Sequence, residues 1–118
     1  MVKRALAIAG LALSLTLTQA LLAEHAWAET PTFTLTFKED GTFEPQRLEV
    51  PAGRFKINLI NESKVPVEFE SLPLRKEKVL GPGLSSFLVF TISKPGEYPF
   101  FDDFHQSVKG TLVVKPAQ

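Results

Sequence analysis

The segment Gly96-Glu97-Tyr98-Pro99-Phe100-Phe101-Asp102-Asp103-Phe104-His105-Gln106-Ser107-Val108-Lys109-Gly110-Thr111-Leu112-Val113-Val114 places two β-rich runs on either side of a short loop that carries two acids and a histidine. Tyr98 alternates with Phe100, and Leu112 with Val114, so each run turns one apolar face toward a core. The polar cluster between them must then lie at the end of a sheet. Its donors are carboxylate oxygen and imidazole nitrogen. These hard or borderline ligands suit a metal ion or a proton and offer no soft sulfur.

Upstream of this hairpin the same period recurs. Phe33, Leu35 and Phe37 alternate with Thr32, Thr34 and Thr36, and Lys38-Glu39-Asp40-Gly41 ends that run with turn chemistry. Leu48 and Val50 form a short second run, and Pro51-Ala52-Gly53 turns the chain into Arg54–Asn61, where Phe55, Ile57 and Leu59 alternate with polar residues. After a loop at Asn61-Glu62-Ser63-Lys64 the pattern returns in Val65–Ser71, with Val67 and Phe69 on one face and Glu68 and Glu70 on the other. The mixed-charge stretch Arg75-Lys76-Glu77-Lys78 follows, then Gly81-Pro82-Gly83, a run through Phe87 and Val89 to Ile92, and the turn Lys94-Pro95-Gly96. No window after the amino terminus holds a helical apolar stripe. About seven short strands with turns every 8 to 12 residues predict an all-β, Greek-key β-sandwich in one domain.

The amino terminus reads differently. Lys3-Arg4, an apolar run from Ala5 to about Ala23, and Ala26-Trp27-Ala28 have the layout of a secretory signal peptide with a small-x-small cleavage site. An uncleaved anchor is the competing reading, but Ser14, Thr16, Thr18 and Gln19 interrupt the run. The expectation is a signal peptide over 1–28, a mature domain over 29–118, and a periplasmic location. His25 falls in the signal, which leaves His105 as the one mature histidine.

Charge and composition remove several functions. The 118 residues include 13 basic and 13 acidic side chains, and setting aside Lys3, Arg4 and Glu24 leaves the mature part near neutrality, with no nucleic-acid footprint. The chain has no cysteine, so disulfides, lipid attachment through a lipobox cysteine and thiol chemistry are excluded. Its stability must come from packing, and its ten phenylalanines, all beyond residue 30, supply the bulk. A single mature histidine supports no Ser-His-Asp hydrolase, and no small organic substrate is evident.

Phe43-Glu44-Pro45-Gln46-Arg47-Leu48-Glu49-Val50-Pro51-Ala52-Gly53, the run ending at Asn61, Gly96-Glu97-Tyr98-Pro99-Phe100 and Gly110-Thr111-Leu112-Val113-Val114 resemble the framework of a cupredoxin. The resemblance implies a copper-ligand cysteine at the position of Asp102, a histidine at His105, a methionine at Val108 and a first histidine near Val67 or Glu68. One ligand type of four is kept. With no thiolate, and with Met1 the only methionine, blue-copper electron transfer and cuprous chaperoning are excluded.

Val67-Glu68-Phe69-Glu70-Ser71, the segment Arg75–Val79, Gly81-Pro82-Gly83 and above all Tyr98-Pro99-Phe100-Phe101-Asp102-Asp103-Phe104-His105 resemble a narrower group. These are the periplasmic cupredoxin-like proteins that accompany bacterial iron permeases, and the EfeO-type cupredoxin-like domain. The resemblance implies partnership with a membrane iron permease and a periplasmic iron- or copper-binding protein. It carries over Glu68, Asp102 and His105 as metal ligands, with Glu70 and Asp103 as secondary candidates. The EfeO-type domain uses cysteine ligands, which this chain lacks.

The donor chemistry agrees with such a role. Carboxylates favour ferric iron and other hard ions, and an imidazole adds affinity for ferrous iron or cupric copper. The expectation is that Glu68, Asp102 and His105 converge at one pole to bind iron or copper, with ferroxidase-type assistance. Plainer readings stand beside it. Glu68 and Glu70 read equally as a solvated strand face, Asp102-Asp103 as turn acids that accept backbone N–H groups, and His105 as a cap on that loop. Phe101 and Phe104 read as packing groups or as a partner surface. A metal-free scaffold that docks other proteins is therefore the alternative function.

Overall fold

In Gly53–Asn61, Phe55, Ile57 and Leu59 are fully buried while Lys56, Asn58 and Ile60 face outward, the period-2 outcome of a strand covered on one side. The computed structural model describes residues 30–117, so the expected signal peptide and its cleavage site lie outside the described residues. Among these residues nine strands form: β1 (Thr32–Phe37), β2 (Phe43–Glu44), β3 (Arg47–Pro51), β4 (Gly53–Asn61), β5 (Val67–Ser71), β6 (Lys76–Leu80), β7 (Ser85–Ile92), β8 (Gly96–Asp102) and β9 (His105–Lys115). They make a four-stranded sheet in the order β2-β1-β4-β7 and a five-stranded sheet in the order β3-β9-β8-β5-β6. The all-β sandwich expected from the alternation is the fold. β1 with β4 and β3 with β9 are parallel, and the other pairs are antiparallel.

Two strands go beyond the sequence reading. β2 has only two residues, too short for a period to show. β6 takes up most of the mixed-charge stretch. It is an edge strand, paired with β5 alone among the described residues, so it needs no apolar alternation; Glu77 and Lys78 are exposed, and the half-buried Lys76 sets its Nζ over the Phe90 ring. The loop expected around the two acids is shorter than it reads, because β8 runs to Asp102 and β9 starts at His105.

Phenylalanine packing replaces covalent staples. A continuous chain of rings runs Phe33–Phe55–Phe90–Phe69–Phe100–Phe43–Phe37, with centroid separations between 4.9 and 6.2 Å. Phe55 and Phe90 come from one sheet and Phe69 and Phe100 from the other, so these contacts bind the two layers together. Each such pair adds about 0.5–1.5 kcal/mol beyond area burial. Gly110 makes room for this chain. A Cβ there would lie 2.5 Å from the Phe100 ring and 2.9 Å from the Gln46 carbonyl oxygen.

The loop after β4 is held by one side chain. Asn61 is buried, and its Nδ2 donates to the carbonyls of Val65 (2.8 Å), Gly81 (3.0 Å) and Leu80 (3.3 Å). Its Oδ1 accepts from the Ser63 N–H and hydroxyl. This network fixes the entry into β5, the strand that carries Glu68 and Glu70.

Candidate metal centre

The register of β5 on β8 pairs Phe69 with Asp102 and Glu70 with Phe101. Directly opposed residues share a face, so Asp102 points to the inner side with Phe69, while Glu68 and Glu70 point to the outer side with Phe101. The five carboxylate and imidazole groups expected to act together are thus divided between two faces. Glu68, Glu70 and Asp103 meet on the outer face, and Asp102 and His105 meet on the inner side of the turn.

Asp102 is 3% exposed and serves as an acceptor hub. Its Oδ1 accepts from the Glu68 N–H at 3.0 Å and the Phe104 N–H at 3.1 Å, and its Oδ2 lies 3.0 Å from His105 Nδ1. The Asp103 N–H donates to the Glu68 carbonyl at 3.3 Å. These bonds stitch the hairpin turn to β5. They link Glu68 to the Asp102–His105 pair through its backbone, not its carboxylate. His105 lines a shallow recess of about 230 Å³ together with Val65, Pro66 and Phe104.

On the outer face one carboxylate oxygen from each of Glu68, Glu70 and Asp103 lies within 4.8 Å of the others. Glu68 is only 7% exposed. Burial pushes its carboxyl up to about 7; the negative charges of Asp103, Glu70 and Glu77 and a hydrogen bond to Asp103 push the same way. Glu70 is raised too, by burial and by Asp103 and Glu77. None of the ion pairs among the described residues engages Glu68, Glu70, Glu77 or Asp103. Among the described residues the cluster therefore holds its negative charge with no basic side chain in ion-pairing contact, although Arg75 and Lys76 line the recess beside Glu70 and Glu77, and a cation would relieve that charge.

Glu77 is the contributor that sequence reasoning missed. It stands directly opposite Glu70 across β5 and β6. Two like charges in that position are unfavourable in an ordinary sheet. Finding it from the sequence requires folding Val67–Ser71 and Lys76–Leu80 as a hairpin, which brings Glu70 and Glu77 together.

The donor set decides which ions fit. Three carboxylates are hard oxygen ligands, suited to Fe(III), Mn(II) and similar cations. They do not fit a blue-copper centre. At the position where a cupredoxin cysteine would stand, Asp102 is already committed to three internal hydrogen bonds, and the described residues include no cysteine or methionine.

Sandwich, aromatic core and hairpin turn together define a cupredoxin-like protein. The sequence profile of the family described as "Cupredoxin-like domain" matches residues 7–114, and the chain belongs to that family. A relative, an uncharacterized protein of Rickettsia prowazekii (strain Madrid E), is 39% identical over 79 residues, 64% of this chain; the match spans 62% of the relative's length. Among solved structures the chain is similar to auracyanin from Roseiflexus castenholzii (TM-score 0.62, 18% identity, 75% of this chain and 100% of that one). It is also similar to a purple cupredoxin from Nitrosopumilus maritimus (TM-score 0.56, 19% identity, 70% and 98%). A Cu-containing nitrite reductase from Thermus scotoductus contains a similar unit (TM-score 0.58, 24% identity, 75% of this chain and 23% of that one).

Proposed function

We propose that this chain is a periplasmic cupredoxin-like component of iron transport that holds iron as its cargo at Glu68, Glu70 and Asp103. The observation that carries this reading is the convergence of those carboxylates around a buried Glu68, with none of them in an ion pair among the described residues. Anionic oxygen ligands stabilise Fe(III) more than Fe(II), because the ion of higher charge gains more from them. Ferrous iron seated there gives up one electron more readily to an external acceptor such as dioxygen, leaving Fe(III) held by the carboxylates, which is the form that ferroxidase-type assistance takes. An open, partly solvated cluster also releases its ion readily, as delivery to a membrane permease requires. Lys3-Arg4 and the apolar run after them support export, and the Tyr98–His105 string supports association with an iron permease and a periplasmic iron- or copper-binding protein.

Asp102 and His105 take a positioning role in this scheme. They hold the turn that carries Asp103 against β5 and leave the outer face to the ligands. Cu(II) binding here would use the same oxygen cluster, ahead of Fe(II) and Mn(II) in the Irving–Williams order but behind the harder, more highly charged Fe(III).

Calorimetric titration of the purified protein with Fe(III)-citrate, anaerobic Fe(II), Mn(II) and Cu(II) tests the reading. Saturable binding of iron that Glu68→Gln and Asp103→Asn abolish and His105→Ala preserves is the expected result. Loss of binding in His105→Ala with retention in Glu68→Gln would move the site to the inner side of the turn.

One observation favours a metal-free docking module as the second reading. Phe104 is 51% exposed and Val65 46% exposed, side by side with Pro66 and His105 at the same pole. A partner that binds this patch when no ion binds the cluster would establish that function.

A further inference from the structure

Among the described residues the two sheets have four edge strands, and three of them are short or carry charges or proline. β2 has two residues. β3 carries Arg47, Glu49 and Pro51, with Arg47 and Glu49 in ion pairs to Glu97 and Lys115. β6 carries Lys76, Glu77 and Lys78. The fourth, β7, is eight residues long, Ser85-Ser86-Phe87-Leu88-Val89-Phe90-Thr91-Ile92, with no charge and no proline. Charges, proline and shortness are the usual means by which an edge avoids association, and β7 has none of them.

Its free backbone groups can be assigned. The Asn61 N–H donates to the Leu84 carbonyl, which puts the even-numbered residues of β7 in hydrogen-bonded pairs with β4. The N–H and C=O groups of Ser85, Phe87, Val89 and Thr91 therefore point away from the sheet. The same residues place their side chains on its outer face, where Phe87 is 53% exposed. Lys56 Nζ lies over the Phe87 ring, 4.5 Å from its centroid, and shields one side of it.

We infer that β7 pairs antiparallel with β7 of a second copy, about a twofold axis through Leu88. Only one register uses every outward-pointing group: Ser85 opposite Thr91, and Phe87 opposite Val89, each exchanging both hydrogen bonds with its partner. Shifting the axis by one residue to Phe87 or Val89 leaves groups unpaired at the ends. On the outer face this register sets Phe87 against Val89 of the other copy, and Val89 against its Phe87, an apolar strip that crosses the axis. No like charges are brought opposite each other, because the strand has none. Two four-stranded sheets become one continuous sheet, and Glu68, Glu70 and Asp103, on the other layer, remain open.

Val89→Pro separates pairing from folding. The Val89 N–H faces away from β4, so a proline there removes an intermolecular donor and no intramolecular one. Sedimentation velocity of the wild-type protein over a concentration series, with circular dichroism as the control for folding, gives the primary readout. A dimer that Val89→Pro and Phe87→Lys each weaken at least tenfold, with an unchanged β-sheet spectrum, is the expected result. The register is read separately. The chain has no cysteine, so Phe87→Cys and Val89→Cys proteins mixed under mild oxidation should yield a crosslinked heterodimer in preference to either homodimer. A wild-type monomer at all concentrations, or a dimer that Val89→Pro and Phe87→Lys leave intact, would overturn the inference, and crosslinking without preference would overturn the register.

Discussion

Replacing Glu68 by glutamine removes the buried charge while keeping the shape of the side chain and its ability to hydrogen-bond Asp103. Folding raises this carboxyl from 4.5 to about 7. At about 1.4 kcal/mol per unit, the folded protein carries a penalty of about 3 kcal/mol once the group is ionised. The native state binds this proton more tightly than the unfolded chain, so the contribution of Glu68 to stability is most favourable below about pH 4.5, falls as the pH rises through the interval to 7, and levels off above it. Glu68→Gln should match the wild type at pH 4 and exceed it at pH 8 by about 2–3 kcal/mol. For a domain of this size that is on the order of 10 °C or more in Tm. Urea unfolding at half-unit steps from pH 4 to 8.5 measures both curves. A variant whose stability runs parallel to the wild type, or lies below it at pH 8, would refute the claim that an uncompensated carboxylate is buried at this position.

Three further outcomes follow from the packing and the turn. Gly110→Ala drives a methyl group into the Phe100 ring and the Gln46 carbonyl and should cost about 1–3 kcal/mol in urea unfolding; a change below about 0.5 kcal/mol would contradict the close packing. Asp102→Ala strips the acceptor from the Glu68 and Phe104 amides and should cost about 2–4 kcal/mol, with faster hydrogen exchange at those amides and not at Asn61. Phe90→Ala breaks the contacts to both Phe55 and Phe69 and should cost about 3–5 kcal/mol by denaturant unfolding, and a loss under 1 kcal/mol would show the ring chain to be incidental.

The alternation of Phe55, Ile57 and Leu59, of Val67 and Phe69, and of Tyr98 and Phe100 made the sandwich legible, since period-2 burial is a local property of the chain. β6 was not legible as a strand, because an edge strand is set by its neighbour's register and not by its own pattern. The site residues were legible as types but not as a grouping. Asp102 and Asp103 are adjacent in sequence and look interchangeable. The backbone sends one inward to accept three hydrogen bonds and the other outward to Glu68, and an irregularity between Phe101 and Asp102 falls at that point. Glu68 lies out of phase with the core residues of β5, as a solvated residue would, yet it is buried, with its carboxylate beside those of Glu70 and Asp103. Only cross-strand register reveals that, and a single sequence does not contain it.

The most direct test of the central claim is iron binding by the wild-type protein beside Glu68→Gln, Asp103→Asn and His105→Ala, followed by calorimetry with Fe(III)-citrate and with Mn(II) as a redox-inert hard cation. Saturable binding to wild type and His105→Ala, absent from the two outer-face variants, is the result that the carboxylate centre requires. Absence of binding to the wild-type protein, or equal binding in all four, would contradict it.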